Sequence, residues 1–570
     1  MVPVLLCVIA LLARQVLFTQ NSTLLFPMPK CKGIIIEEIT IDALQMQFQR
    51  GTLNTVDLVT CYIKRIDQTN GYINSVIQIN PDALEIAAQL DTERSAGKIR
   101  GPLHGVPVLT KDNMATKDKM DTTAGSWMLM GSVVPRDAFT VSKLRQAGAV
   151  LLGHSGLSEW AHMRSSNMSE GFSARGGQVR SPYNLTVNPG GSSSGSAAAV
   201  AANQCMIAFG TETDGSVIEP AERNALVGIK PTVGLTSRAG VIPESLHQDT
   251  VGTFGRTVRD AVYALDAIYG PDQRDNYTAA QIGRTPQGGY AQFLTDRTAL
   301  RNVTFGIPWA SFWALNYPAQ NVELLKLVCL LADAGATIIN NTELPHYQTT
   351  INPSGWDWDF RGKLGFANES EYTGKHISLN HALVKVDFYN DVAAYLAELG
   401  NNDIKSVEDI IRYNLDNLGS EGGLPGINPG FGGGQERFYE SAATGGIHDA
   451  TYHQALSFCL RTSREEGIDS ALNHGGRRLD ALLAPSDVAQ AASIPAQAGY
   501  PMITVPAGVN GTRTGMPFGL SLLGTAWSEG ELIRWASAIE DARANDGSVV
   551  RRAIPRWGDY KKRRLPVLDE

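Results

Sequence analysis

Between residues 171 and 240 the chain carries a dense run of Gly and Ser, and inside it lies Ser196–Gln204 (SAAAVAANQ). This stretch reads as a helix whose largest apolar side chain is a single Val. Such a helix buries little area of its own, so it is stable only where it packs close against a sheet. The flanking pattern supplies that sheet. Amphipathic helices are expected at Thr40–Gly51, with Thr40 as N-cap and Gly51 as stop signal, and at Val56–Asp67 and Pro81–Ala96. Leu103–Asp112 then reads as a buried strand, Ala138–Ala147 as a helix and Ala149–Gly153 as a strand. Strand-like segments return at Leu479–Pro485 and Met502–Gly508. This alternation predicts an α/β fold, a central mixed sheet flanked by helices on both faces.

No charged or Pro-rich linker divides the chain, and it holds no internal repeat. A single large domain over 37–545 is therefore expected. Residues 310–450 are richer in aromatics and Asn and include the Gly-rich loop 419–434, which predicts a variable cap. A C-terminal tail follows at 546–570.

The balance of 49 Lys+Arg against 57 Asp+Glu leaves a formal charge of −8 with no basic stripe, which disfavours a nucleic-acid partner. Cysteines at 7, 31, 61, 205, 329 and 459 form no CxxC pair, so structural zinc and dithiol redox chemistry are not expected. Val4–Ala13 is an apolar run with the length of a signal-peptide core, too short to span a bilayer. With eight Asn-x-Ser/Thr sequons, at Asn21, Asn167, Asn184, Asn276, Asn302, Asn340, Asn368 and Asn510, it suggests a leader over 1–20 and a secreted glycoprotein. A cytoplasmic location is the alternative, and no obligatory membrane partner is implied.

Gly190–Ser196 (GGSSSGS) admits several chemistries. A phosphate cradle would need Lys after the last Gly, where Ser196 stands. A nucleophile elbow would centre on Ser193, but Pro189 breaks the strand that should precede it. A plain Gly/Ser loop needs no function at all. Downstream stand Gly210–Ala221 (GTETDGSVIEPA) and Leu226–Gly240 (LVGIKPTVGLTSRAG), and upstream Leu103–Asn113 (LHGVPVLTKDN). In this order the motifs resemble the amidase signature family, and most closely its peptide amidase branch. The resemblance covers about 37–270 and resumes at 479–541.

That resemblance implies a Ser–cis-Ser–Lys triad on Ser216, Ser192 and Lys111, with a cis bond between Gly191 and Ser192. It implies an oxyanion hole from the backbone N–H groups of Thr213, Asp214, Gly215 and Ser216, and no metal or organic cofactor. The implied activity is hydrolysis of a linear carboxamide, with a C-terminal peptide amide as one candidate, through a seryl acyl-enzyme. A glutamine-dependent amidotransferase A-type subunit, a fatty acid or aryl amide hydrolase, and a catalytically idle binding protein are the alternatives. The sequence departs from the common family pattern at Ile218, where most members have Arg, and at Glu219; both bear on substrate choice. In this scheme Lys111 must be the base, and an ordinary lysine with a pKa near 10.4 is protonated at neutral pH. Burial at the end of an apolar strand is the expected means of lowering it.

Overall fold

Thr40 opens the first helix as expected. Its hydroxyl accepts from the Ala43 amide at 3.3 Å, and helix α1 runs from Ile41 to Gln49 with Ile41, Leu44 and Phe48 facing the core. A computed structural model describes residues 25–347, 379–509, 514–545, 553–564 and 567. The leader expected over 1–20, the sequons at Asn21, Asn368 and Asn510, and part of the expected tail lie outside these residues.

Helix α2 (Thr55–Ile73) outruns its expected end at Asp67 and stops at Asn74, which takes the left-handed conformation. Helices α3 (Ala83–Ser95), α4 (Phe139–Gln146) and α5 (Ser194–Ala201) fall where the sequence puts them, within a few residues. Among the described residues the central sheet has eleven strands. In chain order they are β1 (Val76–Ile79), β2 (Pro107–Lys111), β3 (Val150–Ser155), β4 (Ile207–Glu212), β5 (Val227–Lys230) and β6 (Thr250–Gly255). There follow β7 (Thr304–Ile307), β8 (Thr337–Asn340), β9 (Ala481–Pro485), β10 (Met502–Val509) and β11 (Pro517–Leu523). Across the sheet their order is β1-β3-β2-β4-β6-β5-β10-β11-β9-β7-β8. The sheet is mixed: β2 pairs parallel with both β3 and β4, while β4 pairs antiparallel with β6. Helices flank it, so the chain is one α/β domain.

Every residue of α5 is buried. It packs on β2, β4 and β6, and the approach is close enough that a Cβ on Gly195 would lie 2.4 Å from the Gly156 backbone. That contact is why glycine stands at 195, in a helix otherwise made of Ala, Ser and one Val.

The first part of the expected cap lies in the sheet layer. Residues Pro318–Asp333 form helix α6, and β8 pairs parallel with β7, so this stretch belongs to the sheet layer. Its apolar content is sheet core rather than cap. The helices Leu379–Glu398, Val407–Asp416, Glu436–Thr444 and Ala450–Ser463 pack on one another beyond it.

Cysteine spacing gave no sign of pairing, yet Cys31 and Cys61 form a disulfide that ties the N-terminal strap to α2. Among the described residues no helix is long and apolar enough to cross a membrane.

Candidate active site

Lys111 is the last residue of β2, and β2 and β4 run side by side in parallel register, Thr110 opposite Phe209. The lysine is fully buried. Its Nζ lies 2.6 Å from Ser192 Oγ, 2.9 Å from Thr211 Oγ1 and 3.3 Å from the Thr211 carbonyl oxygen. Asn113 Nδ2 donates to the same Thr211 hydroxyl at 2.9 Å. A neutral amine has two N–H donors and one lone pair. The two Thr211 oxygens can take both donors, which leaves the lone pair facing the Ser192 hydroxyl.

Ser192 enters the site through a cis peptide bond after Gly191 and is buried, its carbonyl accepting from the Ser158 amide at 3.0 Å. Gly191 leaves no room for a side chain, because a Cβ there would collide with the Glu170 carboxylate. Ser193, the elbow candidate, is turned into the sheet, where its hydroxyl donates to the Thr211 carbonyl at 3.1 Å. Its amide donates to the Ser216 carbonyl at 3.3 Å, which brings the two serine motifs into contact.

Ser216 ends a turn that links β4 to the short helix Ile218–Glu222. Gly215 in this turn has φ 80°, a conformation that glycine adopts without strain. The Glu212 carboxylate holds the far side of the turn, accepting from the Val217 amide at 2.7 Å and the Ile218 amide at 3.0 Å. Thr213 and Ser216 are almost fully buried and Asp214 is exposed.

Burial is the main force on the Lys111 ammonium and brings its pKa down to about 7, against the carboxyl groups of Glu244, Asp249, Glu212 and Glu170, which favour the charged form. Burial also pushes Glu244 up to about 8 and Asp249 up to about 6. Glu170 goes the other way. Burial would raise it, but His162, 2.9 Å from its Oε1, and the Ser158 hydroxyl outweigh that and hold it at about 2. Glu219, singled out as unusual, sits beside the site with its side chain 35% exposed. Partial burial and the neighbouring Glu170 raise its pKa above the usual carboxylate range.

All six sequence-predicted site residues, Lys111, Ser192, Thr213, Asp214, Gly215 and Ser216, thus fall on three adjoining segments. Sequence reasoning missed Thr211, Glu170 and the loop that carries Glu244 and Asp249. Thr211 stands inside a quoted motif and could have been found. The loop 244–249 carries no spacing or composition signal. Among the described residues no group of His, Cys, Asp and Glu has the arrangement of a metal site.

A mixed sheet with helices on its faces and this Gly/Ser-rich centre is the arrangement of amide-cleaving hydrolases, and the comparisons agree. The chain belongs to the amidase signature family: residues 57–361 match the family model described as Amidase. A Schizosaccharomyces pombe protein named as an amidase is 51% identical over 555 residues, covering 96% of this chain and 91% of that protein. An Arabidopsis thaliana protein named as an amidase is 41% identical over 510 residues, with coverage of 89% and 90%. Among solved structures, the peptide amidase of Stenotrophomonas maltophilia superposes with a TM-score of 0.77 at 38% identity, over 91% of this chain and 99% of that one.

Proposed function

We propose that this amidase cleaves a linear carboxamide, a C-terminal peptide amide in the first instance, through an acyl-enzyme on Ser216. The observation that carries the proposal is the 2.6 Å contact between a buried, pKa-depressed Lys111 and Ser192. Ser216 Oγ attacks the carbonyl carbon, its proton passes to Ser192 Oγ, and the Ser192 proton passes to Lys111 Nζ. The tetrahedral oxyanion is received by the backbone N–H groups of Thr213, Asp214, Gly215 and Ser216. The relay then runs backwards: Lys111 returns its proton through Ser192 to the leaving nitrogen, the C–N bond breaks and ammonia departs. Water, deprotonated by the same relay, opens the ester and yields the carboxylate. The carboxyl groups of Glu170, Glu219 and Glu244 around the centre favour a polar acyl group over a fatty chain. The likeness to the Stenotrophomonas peptide amidase supports the same choice.

The test is ammonia release across peptide amides, fatty acid amides, aryl amides and free glutamine. A preference for the fatty or aryl set, or for glutamine, would overturn the substrate assignment. Ser216→Ala should abolish both turnover and fluorophosphonate labelling while the fold persists. Labelling that survives, at Ser193 above all, would overturn the nucleophile.

A secretory location is proposed alongside. The Cys31–Cys61 disulfide supports it, because such bonds persist mainly in oxidising compartments, as do the exposed sequon residues Asn167, Asn276, Asn302 and Asn340. A mass shift on enzymatic deglycosylation of the native protein tests it; no shift would count against it.

A further inference from the structure

The turn between β4 and Ser216 is braced from within at most points. Thr211 is fixed by Lys111 and Ser193, and Glu212 by the amides that follow Ser216. Thr213 is held from elsewhere. Its carbonyl accepts from Gln248 Nε2 at 3.0 Å, and its hydroxyl reaches Asp249 Oδ1 at 2.6 Å and Glu244 Oε1 at 3.0 Å. Gln248 is 5% exposed, so this bond is sheltered from water.

The loop that supplies these groups is itself rigidly tied. The Glu244 and Ser245 amides donate to Asp249 Oδ2, at 2.9 Å and 3.1 Å. The Gln248 amide returns to the Ser245 carbonyl at 3.0 Å. Arg238, paired with Asp275, donates to the carbonyls of Leu246 at 2.9 Å and Asp249 at 2.8 Å. Gln248 therefore presents its amide from a fixed base.

From this we infer that Gln248 is a positioning residue for the oxyanion site, an inference that rests on the role proposed for the turn amides. A trans peptide unit is planar, with its C=O and the next N–H pointing in opposite directions. Gln248 fixes the direction of the Thr213 carbonyl, and in doing so it fixes the Asp214 N–H on the opposite side of the same plane. Without that bond the peptide unit is free to tilt, and a donor aimed at the developing negative charge loses its alignment. Gln248 touches neither substrate nor reacting atoms; it acts through the Thr213–Asp214 peptide alone.

Removing one oxyanion donor outright costs roughly 10²–10³ in kcat, and misaligning one of several costs less. Gln248→Met keeps the volume and removes the donor. It should lower kcat about 10- to 100-fold on the best amide from the substrate screen, with KM within about threefold of wild type. The affinity for the aldehyde of the same acyl group, whose hemiacetal places an oxyanion in the same position, should fall in parallel with kcat. Gln248→His puts an N–H close to the original Nε2 and should restore most of kcat. A loss carried by KM, an aldehyde affinity that stays put, or equal losses in the Met and His variants would overturn the proposal.

Should the Met variant fail to fold, Gln248→Glu carries the test. Only its protonated carboxyl can donate to the Thr213 carbonyl, so its kcat relative to wild type should rise as the pH is lowered. A ratio flat in pH would overturn the inference. Failure of the broader reading looks different, since Ser216→Ala would then keep its covalent label whatever Gln248 does.

Discussion

Replacing Lys111 by Met removes the proton acceptor and keeps nearly all the side-chain volume in a fully buried site. A lysine at its ordinary pKa of about 10.5 is neutral in only about 0.03% of molecules at pH 7. With the pKa brought down to about 7, roughly half are neutral. Burial therefore raises the active fraction by about a thousandfold, equivalent to roughly 5 kcal/mol favouring loss of the proton. The sign follows directly: the neutral amine is the base, so activity rises with pH through about 7 and levels off above it. At pH 5, about 1% of the amine is neutral, and kcat/KM should lie about a hundredfold below its plateau. Lys111→Met should lose roughly a thousandfold on the plateau, within the span of general-base contributions, and show no such limb, so its deficit shrinks to about tenfold at pH 5. The assay is kcat/KM against pH from 5 to 9 for both proteins on one amide, with thermal melts at each pH to confirm folding. A mutant that retains the wild-type limb would place the base elsewhere, with His162 on Glu170 the first alternative. A wild-type midpoint near 10 would refute burial as the source of the neutral amine.

Two further outcomes are expected. Gly195→Ala gains about 1 kcal/mol in helix propensity but forces a Cβ to 2.4 Å from Gly156 backbone atoms and 2.6 Å from the Ser75 carbonyl, so clash outweighs propensity. Chemical denaturation should show a net loss of about 2 kcal/mol or more; an unchanged midpoint would refute the close approach of α5. Reducing the Cys31–Cys61 bridge, which joins cysteines 30 residues apart, should lower stability by roughly 3–4 kcal/mol on chain-entropy grounds, with little change in kcat. Melts with and without reductant measure this, and coincident melts would refute it.

The parts of this molecule that the sequence foretold are those with local causes. Thr40 caps a helix within its own four residues, and Lys111 closes a run of apolar residues that can only be a buried strand. The small residues of α5 announce close packing wherever the partner lies. Of the strands described, only β2, β3, β9 and β10 were foreseen. Strands β4, β5, β6, β7 and β11 are short runs buried on both faces that show no alternation. Strand β1 is four residues, three of them only partly buried, which make no period. Strand β8 was assigned to the cap because it lies in a stretch rich in aromatics and Asn. Within the site, the motif residues were legible, but the groups that set their charge were not. Glu170 reaches Gly191 across 21 positions of sequence, and Glu244 reaches Thr213 across 31. No periodicity encodes such meetings; they exist only once the sheet has ordered its strands.

The parallel pairing of β2 with β4 has a kinetic corollary. Lys111 sits at the end of one strand, and the Thr211 oxygens that hold its amine sit on the next, locked by sheet hydrogen bonds from Val108 to Thr110. Parting them would mean tearing apart two interior strands of the sheet. The Lys111–Thr211 pair is therefore standing before any substrate arrives, and under the proposed mechanism a poor substrate cannot be rejected by failure to assemble it. Rejection has to happen at admission, among the groups that border the centre, where Glu219 stands. Variants selected for new substrates should accumulate changes there and leave the two strands untouched.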